Sequence, residues 1–130
     1  MARSYDQVCP IARTLDIIGE RWTLLVIREL GFGRSRFSEF VENLPGIPAT
    51  VLSDRLKKLE EHGIVERRVY SEHPLRAEYR LTPKGRSLEP VLGALVNWGL
   101  EHCLEPYEID AVREAVPPRV LANLESQGRL

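Results

Sequence analysis

With 130 residues, 43% hydrophobic and 28% charged, the chain fits one globular domain around a single substantial core, and multi-domain architectures are set aside. The net charge of −1 argues against a surface that holds polyanions everywhere. No apolar run approaches the ~18 residues of a membrane span, the start MARSYDQVCP lacks the apolar stretch of a secretory leader, and the two distant cysteines make no disulfide scaffold, so a cytoplasmic, reducing setting without membrane contact is expected.

After a short polar arm, Pro10 to Ile18 places Ile11, Leu15 and Ile18 at i, i+4 and i+7 before Gly19, which predicts a first helix. The next stretch, ERWTLLVIRELGFG, carries Trp22, Leu24, Leu25, Val26, Ile27 and Leu30 with little polar surface between them, and predicts a central helix buried on most sides. The β-branched pair Val26 and Ile27 also fits a strand; length and the flanking charges favour a helix. Ser35 to Leu44 then sets Phe37, Phe40, Val41 and Leu44 at helical spacing ahead of the tight turn PGIP.

Pro48 to His62, PATVLSDRLKKLEEH, predicts a short helix with two unlike faces. Leu52, Leu56 and Leu59 share one side, and Thr50, Ser53, Asp54 and Lys57 point roughly the other way. Pro48 suits the first helical turn, and Gly63 suits a left-handed stop. Alone, this is an ordinary amphipathic helix with a solvated polar face. With the helix before it, it forms a helix-turn-helix pair, in which the first member braces the second for a DNA major groove; such pairs also serve as plain structural corners.

Ile64 to Tyr70 and Arg76 to Leu81, parted by SEHPL, read as a two-stranded hairpin, the wing of a winged helix. Arg67, Arg68, Arg76 and Arg80 lie on or beside it, and a period of two sends Arg67 and Arg68 to opposite faces. Charge is uneven along the chain. Residues 48–86 carry nine Lys/Arg against six Asp/Glu, and residues 101–130 three against six. A basic middle before an acidic tail is compatible with nucleic-acid binding, and equally with a solvated surface.

Thr82 as N-cap and Pro83 in the first turn open a long predicted helix with an apolar stripe of Leu88, Val91, Leu92, Leu95, Val96 and Trp98, in which Pro90 imposes a kink or a break. So much apolar surface on a small chain predicts a dimer contact, the alternative being burial in its own core. Glu108 to Ala115 and Arg119 to Ser126, divided by Pro117 and Pro118, form a short helical tail. The expected fold is therefore mainly α with a small β-hairpin: a winged-helix domain over residues 1–104 that includes the first helix and the long C-terminal dimerisation helix, and a helical extension over 105–130.

The stretches CPIARTLDIIGERWTLLVIREL, RFSEF, LPGIPATVLSDRLKKLEEHGIVERRVY and EYRLTPKGRSLEPVL, in that order, resemble the HxlR-type winged-helix transcriptional regulators over roughly residues 9–99. The resemblance implies a homodimer formed by the N-terminal and long C-terminal helices, with Ile11, Leu15, Leu88, Leu92, Leu95, Val96 and Trp98 at the interface, bound to a two-fold symmetric operator on double-stranded DNA. Carried over position by position, it sets Thr50, Ser53, Asp54 and Lys57 against bases and phosphates, Arg55 and Lys58 on the flanks, and Arg76 on a phosphate or the minor groove. Asp54 fits a cytosine N4 contact and equally an ion pair with Arg55 or Lys58. The family often carries a serine where this chain has Pro48, so no side-chain contact transfers there.

Cys9 precedes Pro10 at a helix start, where a thiol pKa can fall. Some members of the resembled family sense oxidants or electrophiles through a cysteine at this position, which makes Cys9 the candidate redox sensor; a small buried cysteine is the other reading. A small-molecule effector is the further regulatory expectation. His62, His73, His102 and Cys103 lack zinc-ligand spacing, so no metal is expected. No phosphate loop, nucleophile elbow or carboxylate pair is recognisable, so neither a cofactor nor an enzymatic activity is expected. The second functional class left open is a winged helix used as a protein-interaction module.

Overall fold

Proline and glycine punctuate this chain, and the computed structural model, which describes residues 4–130, has its helix ends at those positions. Helix α1 spans Pro10–Ile18 with Pro10 in its first turn, and closes where the Gly19 N–H donates to the Leu15 carbonyl at 2.8 Å. Helix α2 spans Thr23–Gly31 and begins later than its hydrophobic run, because Trp22 takes a left-handed φ of 79° that breaks the pattern. Val26 and Ile27 are fully buried and helical, which removes the strand reading. Apart from Leu25 and Gly31, the residues of α2 are buried or half-buried, so the helix is enclosed on most sides as expected. Its buried face also holds Glu29, only 2% exposed, whose carboxylate meets Arg28 at 3.1 Å and Arg34 at 3.7 Å. Two guanidinium groups offset the desolvation of that buried charge.

Helix α3, Phe37–Asn43, is short and capped from within. The Glu39 carboxylate accepts from the Ser35 and Arg36 N–H groups at 3.1 and 3.0 Å, and these bonds, against a smaller opposing effect of burial, hold its pKa below the ordinary value. Helix α4 spans Ala49–Glu61. Pro48 stands just outside it as an extended N-cap with φ −67° and ψ 142°, rather than inside the first turn, since a proline ring imposes that φ without requiring helical ψ. Gly63, at φ 71°, reverses the chain so that the Ile64 N–H reaches the Leu59 carbonyl at 2.9 Å.

The core gathers Val26 and Ile27 of α2, Phe40 of α3, Leu44, the α4 triplet Leu52, Leu56 and Leu59, and Ile64 and Val65 beyond the turn, all essentially inaccessible. Burial of each such side chain contributes about 1.5–3 kcal/mol, which fixes α4 by its apolar face and leaves its other face outward. The hairpin follows as strands β1, Val65–Glu72, and β2, Leu75–Leu81, paired antiparallel with a bulge between Val69 and Ser71. Both strands run further than expected and narrow the turn to His73 and Pro74, because cross-strand pairing continues through Glu72 and Leu75. A third pairing escaped the sequence: the Tyr79 N–H donates to the Ser35 carbonyl at 2.7 Å, and Arg36 bridges Glu78. The approach to α3 is thereby stitched to β2.

Thr82 is the N-cap expected, its hydroxyl accepting from the Gly85 N–H at 3.1 Å, with Pro83 in the first turn. The long helix is broken. A four-residue helix α5, Pro83–Arg86, ends at Ser87, and α6, Glu89–His102, starts afresh with Pro90 in its first turn, where the missing N–H is tolerated. Gly85 is required by space: a Cβ there would lie 2.2 Å from the Ile64 carbonyl oxygen.

The chain divides into two compact units, Met1–Ser87 and Leu88–Leu130, a division by packing that is separate from the expected functional one after residue 104. In the second unit, α6 is followed by a 3-10 turn at Pro106–Glu108, α7 at Ile109–Ala115 and α8 at Pro118–Ser126. Arg113 and Glu125 join α7 to α8 at 2.8 Å. No described helix is long and apolar enough to cross a membrane.

Candidate nucleic-acid interface

Helix α4 is held by more than its leucines. The Arg55 Nε donates to the Arg21 carbonyl at 2.8 Å, and one terminal nitrogen of its guanidinium lies 2.6 Å from Asp54 and 3.5 Å from Glu20. The Lys58 ammonium completes the group, 3.0 Å from Glu20 and 3.2 Å from Asp54. Two cations of α4 and the acid beside them thus clasp Glu20 and Arg21 in the connector between α1 and α2. That connector also carries the left-handed Trp22, over whose ring the Arg21 guanidinium lies at 5.4 Å.

The titration of the cluster reflects this pairing. Burial pushes the Asp54 carboxyl up, but the hydrogen bonds and charges of Lys58 and Arg55 together outweigh it and leave the pKa below 3.8. The Glu20 hydrogen bond raises the Lys58 ammonium above 10.5 against the opposing effect of burial, with Asp54 adding to the rise. The Arg55 side chain is only 14% exposed.

On the other side of the helix, Thr50, Ser53 and Lys57 are exposed and engage no described residue through their side chains. The sequence named Thr50, Ser53, Asp54, Arg55, Lys57, Lys58 and Arg76 as DNA-binding candidates, with Arg55 and Lys58 on the flanks and Asp54 open between a base contact and an ion pair with Arg55 or Lys58. That ion pair is present. The structure divides them. Asp54, Arg55 and Lys58 are engaged with the connector, Thr50, Ser53 and Lys57 face outward, and Arg76 is exposed on β2 close to the hairpin turn.

The same sorting applies to the whole basic middle of the chain. Arg80 pairs with Glu66 across the hairpin. The Lys84 ammonium donates to the His62 carbonyl at 2.7 Å, and the Arg86 guanidinium to the Leu81 carbonyl at 3.0 Å. Lys57, Arg67, Arg68 and Arg76 remain without a hydrogen-bond or ion-pair partner for their side chains among the described residues. Arg36, outside the basic stretch, likewise has no side-chain hydrogen bond or ion pair among the described residues: its guanidinium carbon lies 5.5 Å from the centre of the Tyr70 ring, and its charge adds a minor attraction to Glu39. Sequence reasoning missed Arg36 because its relevance depends on the pairing of residue 36 with β2.

Of the other predicted residues, Cys9 is half-buried as the N-cap of α1 and makes no disulfide. Ile11 and Leu15 are exposed on α1, at 71% and 40%. On α6, Leu95, Val96 and Trp98 are exposed and Leu92 is half-buried, and Leu88 is half-buried at its N-cap. No cluster of metal-ligating side chains occurs among the described residues.

A helix-turn-helix whose second helix is anchored by leucines, turns a polar face outward and is followed by a two-stranded wing defines the winged-helix class of DNA-binding transcriptional regulators. The HxlR-like helix-turn-helix family model matches residues 17–107, and the chain belongs to that family. It is 44% identical over 97 residues to YvaP of Bacillus subtilis, an HTH-type transcriptional regulator, a match covering 74% of this chain and 90% of YvaP. It is 47% identical over 96 residues to the HTH-type transcriptional regulator Rv3095 of Mycobacterium tuberculosis, covering 74% of this chain and spanning 60% of that relative's length. Among solved structures it is similar to the redox regulator HypR in its oxidized form, with 38% identity, a TM-score of 0.68, and coverage of 75% of this chain and 100% of that one. The chain is a transcriptional regulator of this family.

Proposed function

We propose that the chain acts as a cytoplasmic homodimer that recognises a two-fold symmetric operator, with α4 in the major groove and the β1–β2 hairpin on the flanking backbone or minor groove. The observation that carries this reading is the division of charge on α4: Asp54, Arg55 and Lys58 are spent on the connector, and Thr50, Ser53 and Lys57 are left outward. Lys57 then pairs with guanine or a phosphate, Thr50 and Ser53 with base edges or phosphate, and Arg76 with backbone or minor groove. Arg55 and Lys58 brace the helix, and Asp54 orders them.

The dimer reading is supported by apolar side chains left exposed on two helices, Ile11 and Leu15 of α1 and Leu95, Val96 and Trp98 of α6, with Leu88 and Leu92 continuing the second stripe. Residues 1–104 would then carry DNA binding and dimerisation, with 105–130 as an extension. In the dimer the two α4 helices address half-sites about 34 Å apart.

Duplex binding followed by fluorescence anisotropy across a salt series tests the reading. Affinity should fall steeply as salt rises, and Lys57→Ala should weaken binding and lower the log–log slope by about 0.9 without changing the melting temperature. Absence of salt-sensitive duplex binding favours the protein-interaction alternative.

Control by an oxidant or electrophile at Cys9 is the regulatory part of the proposal, supported by the redox regulator among the similar structures and by the half-buried thiol heading α1. Diamide treatment should change duplex affinity in the wild type and leave Cys9→Ser unaffected. An unchanged wild type removes the idea.

A further inference from the structure

An open cleft of about 280 Å³ lies between residues 36–38 and the hairpin, walled by Arg36, Ser38, Tyr70, Leu75 and Arg76. It offers two guanidinium groups and two hydroxyls, and no carboxylate lines it. Neither guanidinium has an ion-pair partner among the described residues; Glu39, the nearest acid in sequence to Arg36, is held chiefly by the Ser35 and Arg36 N–H groups, with the Arg36 charge a smaller influence on it.

The backbones carrying these groups are fixed. Arg36 bridges Glu78, and the adjacent Ser35 carbonyl accepts from Tyr79, so the first arm is tied to β2. Arg76 lies on β2 itself, opposite Ser71. Tyr70 is the extra residue of the β1 bulge, a device that re-aims a side chain out of the strand's alternation, and its ring lies beneath the Arg36 guanidinium. Stacking occupies the flat face of the guanidinium and leaves its N–H edge for an acceptor, which is how arginine is held ready for bidentate bonds to phosphate.

We propose that this cleft seats a backbone phosphodiester of the bound duplex, held by Arg36 and Arg76, with Tyr70 as the positioning residue for Arg36. The inference rests on the DNA-binding reading of α4 and adds a second, sequence-independent contact to it. Exposed walls suit a phosphate on the surface of a polyanion better than an enclosed small anion. The first helix of a helix-turn-helix crosses the backbone when the second lies in the groove, which brings phosphates to residues before α3.

The test uses the full chain and a labelled mixed-sequence duplex, with binding measured across a salt series. Arg36→Gln should weaken binding about tenfold and reduce the log–log slope by about 0.9, as should Arg76→Gln. Arg36→Lys should keep the slope and lose affinity, because charge stays and the stacked fork goes. Tyr70→Leu should likewise lower affinity at unchanged slope, and thermal melting of each variant separates these effects from misfolding. Wild-type affinity and slope in Arg36→Gln and Arg76→Gln, alongside a loss in Lys57→Ala, would overturn the phosphate seat and leave the α4 reading standing. A wild type without salt-sensitive binding overturns both. Saturable binding of inorganic phosphate that Arg36→Gln abolishes, with duplex affinity unchanged, would overturn the duplex seat and reassign the cleft to a free anion.

Discussion

The Arg55 guanidinium lies 3.5 Å from the Glu20 carboxylate while its Nε donates to the neighbouring Arg21 carbonyl at 2.8 Å, so one side chain joins the outward helix α4 to the connector leading out of α1. This makes Arg55 a brace in a helix whose composition presents it as a DNA contact. Arg55→Ala should destabilise the chain by about 1–3 kcal/mol, the range for losing a charge-assisted hydrogen bond. It should lower duplex affinity at every salt concentration without changing the salt slope, since no phosphate contact is removed. A reduced slope would return Arg55 to the DNA face.

The same cluster sets a pH expectation. The Asp54 pKa is depressed below 3.8, so its contribution to stability is present above 3.8 and lost as pH falls through its lower folded value. The Lys58 pKa is raised above 10.5, so its contribution is complete below 10.5 and lost as pH rises through the higher folded value. Between these limits both groups stay charged. The difference in melting temperature between wild type and a Glu20→Gln, Asp54→Asn double variant should therefore be flat from about pH 5 to 9, a range set by these two directions of shift. A difference that varies steeply near neutrality would show that another group controls the clasp.

Gly85 is a site where one methyl group should be felt. Its Cβ would sit 2.2 Å from the Ile64 carbonyl oxygen, which also accepts from the Thr82 N–H at 3.0 Å. Gly85→Ala must push apart the junction of α4, the hairpin and α5, at a cost of about 1–3 kcal/mol or more, read as a melting temperature lower by several degrees. Gly31→Ala, where nothing lies within 4 Å of the added carbon, is the control and should melt close to wild type.

The exposed stripe of α6 has a direct readout in solution. Leu95→Glu and Trp98→Glu place a charge where a dimer core is proposed, and sedimentation should show a shift from dimer toward monomer. Tyr107 is 79% exposed and lies outside the stripe, so Tyr107→Glu should leave the assembly unchanged. Equal behaviour of all three variants would reject α6 as the contact.

Most element boundaries were legible because they depend on local chemistry. Pro10, Gly19, Gly63, Thr82 and Pro83 act on φ, ψ and hydrogen bonds within a few residues of themselves, and the i, i+4, i+7 leucines of α4 declare its buried face by period alone. The left-handed Trp22, the buried Glu29 and the strand-like pairing of residues 35 and 36 were not legible. A tryptophan carries no signal for positive φ, and glutamate is ordinarily exposed.

By itself, then, the sequence determined the order of the helices and most of their ends, the hairpin, the inward face of α4 and the family to which the chain belongs. Only the tertiary structure decided which charges remain available to a partner. Lys57 and Lys58 are neighbours of identical chemistry, yet Lys58 is taken by Glu20, 38 residues away in the chain, and Lys57 is left outward. Local periodicity reports which side of a helix a residue occupies. Ion pairing depends on where distant carboxylates arrive in space, and that is set by the packing of α4 against the connector before α2.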